Sequence, residues 1–134
     1  MKGKKVISAS SDSNLIIWNL EIEQRIRADG SKDEKLKAKL IDFKILMGHL
    51  SDIYSFDICG DYIASGGADS LVLIWNFNGD LLFKLKGHLG IVRCVRLDEH
   101  KLVTGGDAKK VGIFSNFFYF QKHPLYLWFL LSKR

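Results

Sequence analysis

The stretch that decides the fold is GHLSDIYSFDICGDYIASGGADSLVLIWN, residues 48–76. Its landmarks return 39 positions later, where Gly87-His88, Thr104 and Phe114 take the places of Gly48-His49, Ser65 and Trp75. In both copies the hydroxyl residue lies 16 positions, and the aromatic residue 26 positions, beyond the histidine. A fixed period of roughly 20–50 residues is the signature of a repeat architecture.

A third copy lies upstream and lacks its first half. Three residues identify it because they stand at the spacing of Ser65, Asp69 and Trp75, namely Ser8, Asp12 and Trp18. No Gly-His pair precedes them in the sequence, so we expect this copy to begin at its second strand.

The first copy also carries an insertion. Trp18 lies 31 positions before His49, whereas Trp75 lies 13 positions before His88, and the 18 extra residues fall within Glu21 to Lys39. This segment is rich in Lys, Glu and Asp. We expect a solvated loop or a frayed helix there, in preference to a partner-binding element.

Within one copy the pattern is all-β. Short runs of β-forming residues end at glycine and aspartate turns, and Asn78-Gly79 is a strong hairpin signal. The second copy contains four such runs, at Ile53–Ile58, Tyr62–Ser65, Leu71–Trp75 and Leu81–Leu85. Four short antiparallel strands in about 40 residues are typical of a propeller blade.

The repeat resembles the WD-repeat β-propeller family, with Trp18-Asn19 and Trp75-Asn76 at the usual Trp-Asp position. The resemblance implies four-stranded antiparallel blades and an incomplete propeller of about two and a half blades. Its bounds predict blade one at 5–47 (insertion 21–39), blade two at 48–86 and blade three at 87–115. A non-repeat aromatic tail follows at 116–134. We expect the remaining blades to come from a longer chain.

The family resemblance also implies a structural tetrad in blade two, formed by His49, Ser65, Asp69 and Trp75. In such blades a turn aspartate bonds the histidine, the histidine bonds a hydroxyl, and the hydroxyl approaches the indole N–H. Partial tetrads are expected from Ser8, Asp12 and Trp18 in blade one and from His88 and Thr104 in blade three. In blade three Ala108 stands at the position of the turn aspartate. Asp107, one residue earlier, is expected to substitute for that aspartate only in part.

The tetrad has the composition of a Ser-His-Asp catalytic set, but catalysis needs an exposed nucleophile beside an oxyanion hole. The repeat instead predicts that all the tetrad groups lie inside a blade. No GxSxG, HExxH, P-loop or GxGxxG motif occurs in the sequence. We therefore expect no enzyme activity, no cofactor and no metal site.

One segment resembles the inner strand of F-box WD-repeat proteins, which are substrate receptors of cullin-type ubiquitin ligases. It is the stretch His88 to Asp98, in which Arg93 stands in Val-Arg-Cys. The resemblance implies an interaction scaffold whose Arg93, with Tyr54 at the equivalent place in blade two, contacts acidic or phosphorylated peptides at the channel mouth. The same resemblance predicts an Arg93 guanidinium that is free of internal carboxylates. An ordinary exposed strand-end arginine is the alternative.

The net charge of +5 raises a second possibility, a nucleic-acid or membrane-surface binding module that uses the basic termini. Residues 1–47 and 116–134 each carry an excess of three positive charges, whereas 48–115 carry one excess negative charge. A nucleic-acid surface needs basic residues gathered on one face, so this distribution disfavours it. The apolar runs near the C-terminus are also too short to span a bilayer.

Two cysteines without a CxxC motif predict reduced thiols and an intracellular protein, cytoplasmic or nuclear.

The tail at 116–134 matches nothing in the repeat, and half of the sixteen aromatic residues fall between Phe114 and Phe129. It is compatible with an outer strand plus an anchor, or with a terminus foreign to the repeat. We favour the second interpretation because the repeat register stops at Phe114-Ser115. With blades missing at both ends, open strand edges should promote self-association.

Overall fold

The computed structural model describes residues 3–107, 110–115 and 129–132, and every helix or strand assigned in that part of the chain is a β-strand. The strands form three antiparallel sheets in the orders β1-β2-β3, β4-β5-β6-β7 and β8-β9-β10-β11. Their bounds are β1 Gly3–Ala9, β2 Asn14–Ile26, β3 Lys32–Met47, β4 Ile53–Cys59, β5 Tyr62–Gly67, β6 Val72–Asn76, β7 Leu81–Leu85, β8 Val92–Leu97, β9 Lys101–Gly106, β10 Lys110–Ser115 and β11 Phe129–Ser132. The predicted class, antiparallel four-stranded blades, is confirmed.

Local turn chemistry sets the strand ends of blade two. The turn between β6 and β7 closes with a bond from the Asn76 N–H to the Asp80 carbonyl, 3.1 Å. Gly79 takes φ +93° in this turn, a conformation that favours glycine. The Asn76 side-chain oxygen accepts the N–H groups of Asn78 and Asp80 at 3.0 and 2.9 Å, so the Asn-Gly hairpin signal becomes a satisfied turn.

The core consists of two apolar layers, one on each face of blade two. Side chains along a strand alternate between the faces, and β6 shows this directly. Leu73 and Trp75 pack against blade one, whereas Val72 and Ile74 pack against blade three. The first layer holds Leu15, Ile17, Leu46, Ile53, Ile63, Leu73 and Trp75, and the second holds Ala64, Val72, Ile74, Leu85, Val92, Val95, Leu97 and Leu102. Blade two is therefore covered on both sides, which explains its nearly continuous apolar strand.

The insertion in blade one is a β-ribbon, so the expectation of a loop or frayed helix within Glu21 to Lys39 is wrong. β2 and β3 pair through it, with Glu21 opposite Lys39 and Glu23 opposite Lys37. Opposite charges directly across a sheet stabilise the pairing. The charge content that suggested a solvated loop thus comes from alternate residues of a strand pair.

The end of blade three also differs from expectation. β11, at Phe129–Ser132, pairs with β10 and supplies the fourth strand, so assigning all of 116–134 to a non-repeat tail is wrong for these four residues. The register is interrupted because residues 116–128 connect these strands, whereas only residues 77–80 connect β6 and β7. The rest of the expected tail lies outside the described residues.

Blade one contains three strands in the described part of the chain, and β1 forms one edge of its sheet. The innermost strand present in blades two and three has no counterpart there.

In the described ranges there is no helix with the length and apolar character needed to cross a bilayer.

Candidate functional site

Four side chains of blade two form one chain of hydrogen bonds. His49 places Nδ1 2.9 Å from Asp69 Oδ2 and Nε2 2.9 Å from Ser65 Oγ. The Trp75 indole N–H donates to the same Ser65 oxygen at 3.0 Å. Ser65, Trp75 and His49 are 0, 1 and 6% exposed, so the network is enclosed.

Each member of this network comes from a different segment of the blade. His49 lies in the connection from β3 to β4, Ser65 on β5, Asp69 in the turn after β5, and Trp75 on β6. Asp69 also accepts the backbone N–H groups of Leu50 and Leu71, at 2.9 and 3.1 Å. One carboxylate therefore holds the entry loop and the β5–β6 turn in a single arrangement.

The environment of Asp69 favours its ionised form. Burial raises the pKa of this carboxyl. The hydrogen bonds from the Leu50 N–H, His49 and the Leu71 N–H lower the pKa by more than burial raises it, so the pKa lies below its ordinary value. Because a carboxylate only accepts hydrogen bonds, His49 Nδ1 is the donor in the contact with Asp69. Because Ser65 is fully buried, its hydroxyl cannot reach a substrate carbonyl.

Blade one repeats part of this arrangement. The Trp18 indole N–H donates to Ser8 Oγ at 2.8 Å, and Asp12 Oδ1 accepts the Asn14 N–H at 3.1 Å. The structure thus brings Ser8 and Trp18 together, with Asp12 in the turn between their strands. Residues 1–47 include no histidine.

Blade three also keeps part of the network. His88 Nε2 lies 2.8 Å from the Thr104 hydroxyl, which is fully buried. Ala108 and the side chain of Phe114 lie outside the described residues. The Asp107 carboxylate was expected to substitute in part for a turn aspartate. Its hydrogen bonds go instead to the Arg93 guanidinium.

Arg93 and Asp107 form a bidentate ion pair. The Arg93 Nε and Nη2 atoms each donate to one Asp107 oxygen at 2.8 Å, and the guanidinium carbon lies 4.7 Å from the centre of the Tyr54 ring. The expectation of a guanidinium free of internal carboxylates is therefore wrong. Arg93 lies at an irregularity in β8 opposite the end of β9, and Asp107 directly follows β9, so the two side chains meet.

This cluster is polar and accessible. The side chains of Arg93 and Asp107 are each 48% exposed, and Tyr54 is 47% exposed. Hydrogen bonding to Arg93 lowers the pKa of Asp107, and the same bonds raise the pKa of Arg93, so both remain charged at neutral pH. Tyr54 and Arg93 occupy matching irregularities on the innermost strands of neighbouring blades.

Sequence reasoning missed a second link between blades two and three. Ser55 Oγ accepts the Val95 N–H at 3.1 Å, and Asp57 Oδ2 accepts the Leu97 N–H at 2.9 Å. The other Asp57 oxygen accepts the Ile58 N–H at 2.9 Å. Two polar residues at alternate positions of β4 thus satisfy N–H groups of β8, an edge strand of its sheet.

Replacing Asp57 by alanine should loosen blade three by about 1–2 kcal/mol, because the Leu97 and Ile58 N–H groups lose their acceptor. Hydrogen–deuterium exchange of Val92–Leu97 measures this, and we expect faster exchange at Leu97. Asp61→Ala removes an exposed carboxylate from the neighbouring turn and is the matched control. Equal exchange in Asp57→Ala and the unmodified chain would refute the link.

The described residues contain no group of three or more His, Cys, Asp or Glu side chains placed to hold a metal ion. Antiparallel sheets stacked face to face, two of them with a histidine-to-hydroxyl contact, have the architecture of β-propeller blades. In agreement, residues 42–76 match the sequence model of the WD40 family, described as "WD domain, G-beta repeat".

Several curated proteins are similar to this chain. The U5 small nuclear ribonucleoprotein 40 kDa protein of Dictyostelium discoideum is 32% identical over 77 residues, which are 53% of this chain and 22% of that protein. The human tRNA (34-2'-O)-methyltransferase regulator WDR6 is 25% identical over 103 residues, 75% of this chain and 8% of that protein. Mitochondrial division protein 1 of Mycosarcoma maydis is 29% identical over 76 residues, which are 54% of this chain and 9% of that protein. The chain thus spans less than a quarter of each relative.

A solved structure shows the same fold. The structure titled "Structure of U3-55K" superposes with a TM-score of 0.62 at 23% identity, and the match covers 86% of this chain and 33% of that one.

Proposed function

We propose that this chain is part of a WD-repeat platform that binds other proteins, and that Tyr54, Arg93 and Asp107 form its contact surface for an anionic peptide. The observation that carries this proposal is the juxtaposition of Tyr54 and Arg93. The two residues stand at matching positions of neighbouring blades, and the Arg93 guanidinium carbon lies 4.7 Å from the centre of the Tyr54 ring. Both side chains are about half exposed, whereas the neighbouring Val92 is buried. Exposed arginine and tyrosine side chains are the types most often dominant in protein interfaces.

The chemistry of the cluster favours a ligand with high negative charge. A guanidinium has five N–H donors, and the ion pair with Asp107 engages two of its nitrogens. The planar fork suits carboxylate and phosphate oxygens, and phosphate carries the larger charge. Because Asp107 already neutralises Arg93, a phosphorylated peptide should compete better than one with a single carboxylate.

Three features support an intracellular interaction role. Cys59 and Cys94 are unpaired thiols, the similar proteins include one named for a small nuclear ribonucleoprotein, and proteins with WD repeats commonly act as scaffolds. A place in a cullin-type ubiquitin ligase rests on the resemblance of residues 88–98 alone. We also propose the blades of a longer chain as partners, because a propeller usually closes with 4–8 blades.

Replacing Arg93 tests the proposal. Binding of a fluorescent phosphothreonine peptide library should fall by about 30-fold in Arg93→Ala, since loss of a central arginine contact costs about 2 kcal/mol or more. Arg93→Lys should lose part of the affinity because it cannot bind two oxygens in a fork. Asp107→Asn should bind more tightly, since it removes the competing charge.

Arg96→Ala is the control, because Arg96 is an exposed arginine on the same strand. Phosphopeptide affinity that is unchanged in both Arg93 variants would show that Arg93 is an ordinary surface charge.

A further inference from the structure

The outermost strand of blade one, β3, has a long free edge. It contains 16 residues, whereas the outermost strands of blades two and three, β7 and β11, contain 5 and 4. β2 pairs along one side of β3, and in the described part of the chain no strand pairs along its other side. Short edge strands protect a sheet from pairing with another chain. The length of β3 therefore leaves backbone N–H and C=O groups open to an added strand.

The part of β3 that lies in the charged insertion has two faces of different character. Its pairing with β2 is regular between two shifts in register, from Leu40 opposite Leu20 to Leu36 opposite Gln24. Opposite residues point to the same face, and successive residues point to opposite faces. One face therefore carries Leu36, Ala38 and Leu40 with Leu20 and Ile22, and the other carries Lys37 and Lys39 with Glu23 and Glu21.

The five residues 36–40 of β3, which we call the ribbon edge, are all exposed. Leu36 and Leu40 are 60 and 46% exposed, and Lys37 and Lys39 lie on the opposite face. No acidic residue occurs among these five. The ribbon edge thus combines free main-chain groups, two exposed leucines and two positive charges.

The lysines decide which kind of strand fits this edge. Antiparallel pairing of two ribbon edges about their central residue would place Lys37 of one copy beside Lys39 of the other, and like charges directly opposite are destabilising. Acidic residues at the same places are favourable. β2 shows this on the inner side of β3, where Glu21 and Glu23 lie opposite the lysines. A segment that alternates as residues 20–23 do, aliphatic then acidic, therefore also matches the outer side.

We infer that the ribbon edge is a binding site for an extended acidic segment of another protein, in which aspartate or glutamate alternates with aliphatic residues. The segment adds to the outer side of β3, with its carboxylates beside Lys37 and Lys39 and its aliphatic side chains beside Leu36 and Leu40. In strand addition, main-chain hydrogen bonds provide affinity and alternate side chains provide specificity. The site uses no residue of the Arg93 cluster, so it stands independently of the anionic-peptide proposal.

A pair of peptides tests the charge preference. A fluorescent, end-capped peptide with the sequence of residues 17–26 contains the alternating run and should bind the full 134-residue chain in an anisotropy titration. The same peptide with Glu21→Lys and Glu23→Lys should bind about tenfold more weakly, because two opposite-charge contacts become like-charge contacts. Both peptides keep the aliphatic residues, so nonspecific apolar binding would not distinguish them.

Substitutions in the chain should reverse this preference. Glu21→Lys and Glu23→Lys combined with Lys37→Glu and Lys39→Glu keep opposite charges across β2 and β3, so the ribbon's own pairing is retained while the charge of the ribbon edge changes sign. This charge-swapped chain should bind the lysine peptide about tenfold more tightly than the glutamate peptide. Arg93→Ala is the control and should keep the affinity for the glutamate peptide within about twofold of the unmodified chain.

Hydrogen–deuterium exchange locates the bound peptide. We expect slower exchange in residues 36–40 and unchanged exchange in β2. Equal binding of the two peptides, the same preference in the charge-swapped chain, or loss of binding in Arg93→Ala would overturn the proposal. Faster exchange in β2 would also overturn it, because the peptide would then have replaced that strand. Protection of residues 36–40 that rises with chain concentration, without peptide, would show instead that a second copy occupies this edge.

Discussion

Replacing Asp69 by alanine is expected to destabilise blade two by about 1–3 kcal/mol, because it leaves a buried histidine donor without its partner. The Asp69 side chain is 5% exposed and accepts bonds from His49, the Leu50 N–H and the Leu71 N–H. Local hydrogen–deuterium exchange is the suitable measurement, since it reports the opening of one blade. We expect the loss of protection to be largest in Tyr62–Gly67 and Val72–Asn76.

The Asp69 contribution should also depend on pH. Its hydrogen bonds lower the pKa of this carboxyl in the folded state, despite the opposing effect of burial. A group with a lowered folded pKa stabilises the fold above its unfolded pKa, which is about 3.9 for aspartate, and the contribution is lost as the pH falls through the folded value. The difference in protection between the unmodified chain and Asp69→Ala should therefore shrink in acid below about pH 4.

Asp69→Asn is an informative companion, because the amide keeps an acceptor for backbone N–H groups but loses the charge. It should fall between the unmodified chain and Asp69→Ala and abolish most of the pH dependence. Asp61→Ala, at an exposed carboxylate, should change nothing. Unchanged exchange in Tyr62–Gly67 after Asp69→Ala would mean that the network does not hold the blade together.

Replacing Trp75 by alanine should cost about 3–5 kcal/mol, which is the usual range for a buried tryptophan. Trp75 is 1% exposed and belongs to the apolar layer between blades one and two, with Leu15, Ile17 and Leu46. Truncation would also remove the indole N–H that donates to Ser65. The expected result is lost protection in Asn14–Ile26 as well as Val72–Asn76, since both sides of this layer open.

Trp75→Phe separates packing from hydrogen bonding. Phenylalanine stands at the equivalent position in blade three, Phe114, so the larger part of the ring packing should survive while the N–H donor is lost. We expect a loss well below that of Trp75→Ala. If both variants had equal effects, the Ser65 bond would outweigh the packing of the ring, contrary to this account.

Sequence reasoning identified the strands of blade two closely because their signals are local. The run Leu71–Trp75 is apolar without interruption, and the structure covers both of its faces. Turn residues bound each run, and Asn78-Gly79 closes a hairpin as its composition predicts. The insertion differs from the sequence-based expectation because its charged residues are neighbours across two strands, with Glu21 beside Lys39, and not along the chain.

The sequence by itself determined the repeat, its period and the residue types placed around His49, because those residues lie within one repeat unit and its spacing constrains them together. The tertiary structure alone decided how blades meet. Asp57 reaches the Leu97 N–H, and Tyr54 packs on Arg93, across about 40 residues of sequence. Only the stacking of sheets brings such pairs together, so no local sequence pattern predicts these contacts. The Arg93–Asp107 ion pair lies within blade three and depends instead on strand pairing, because the end of β9 lies beside the irregular start of β8.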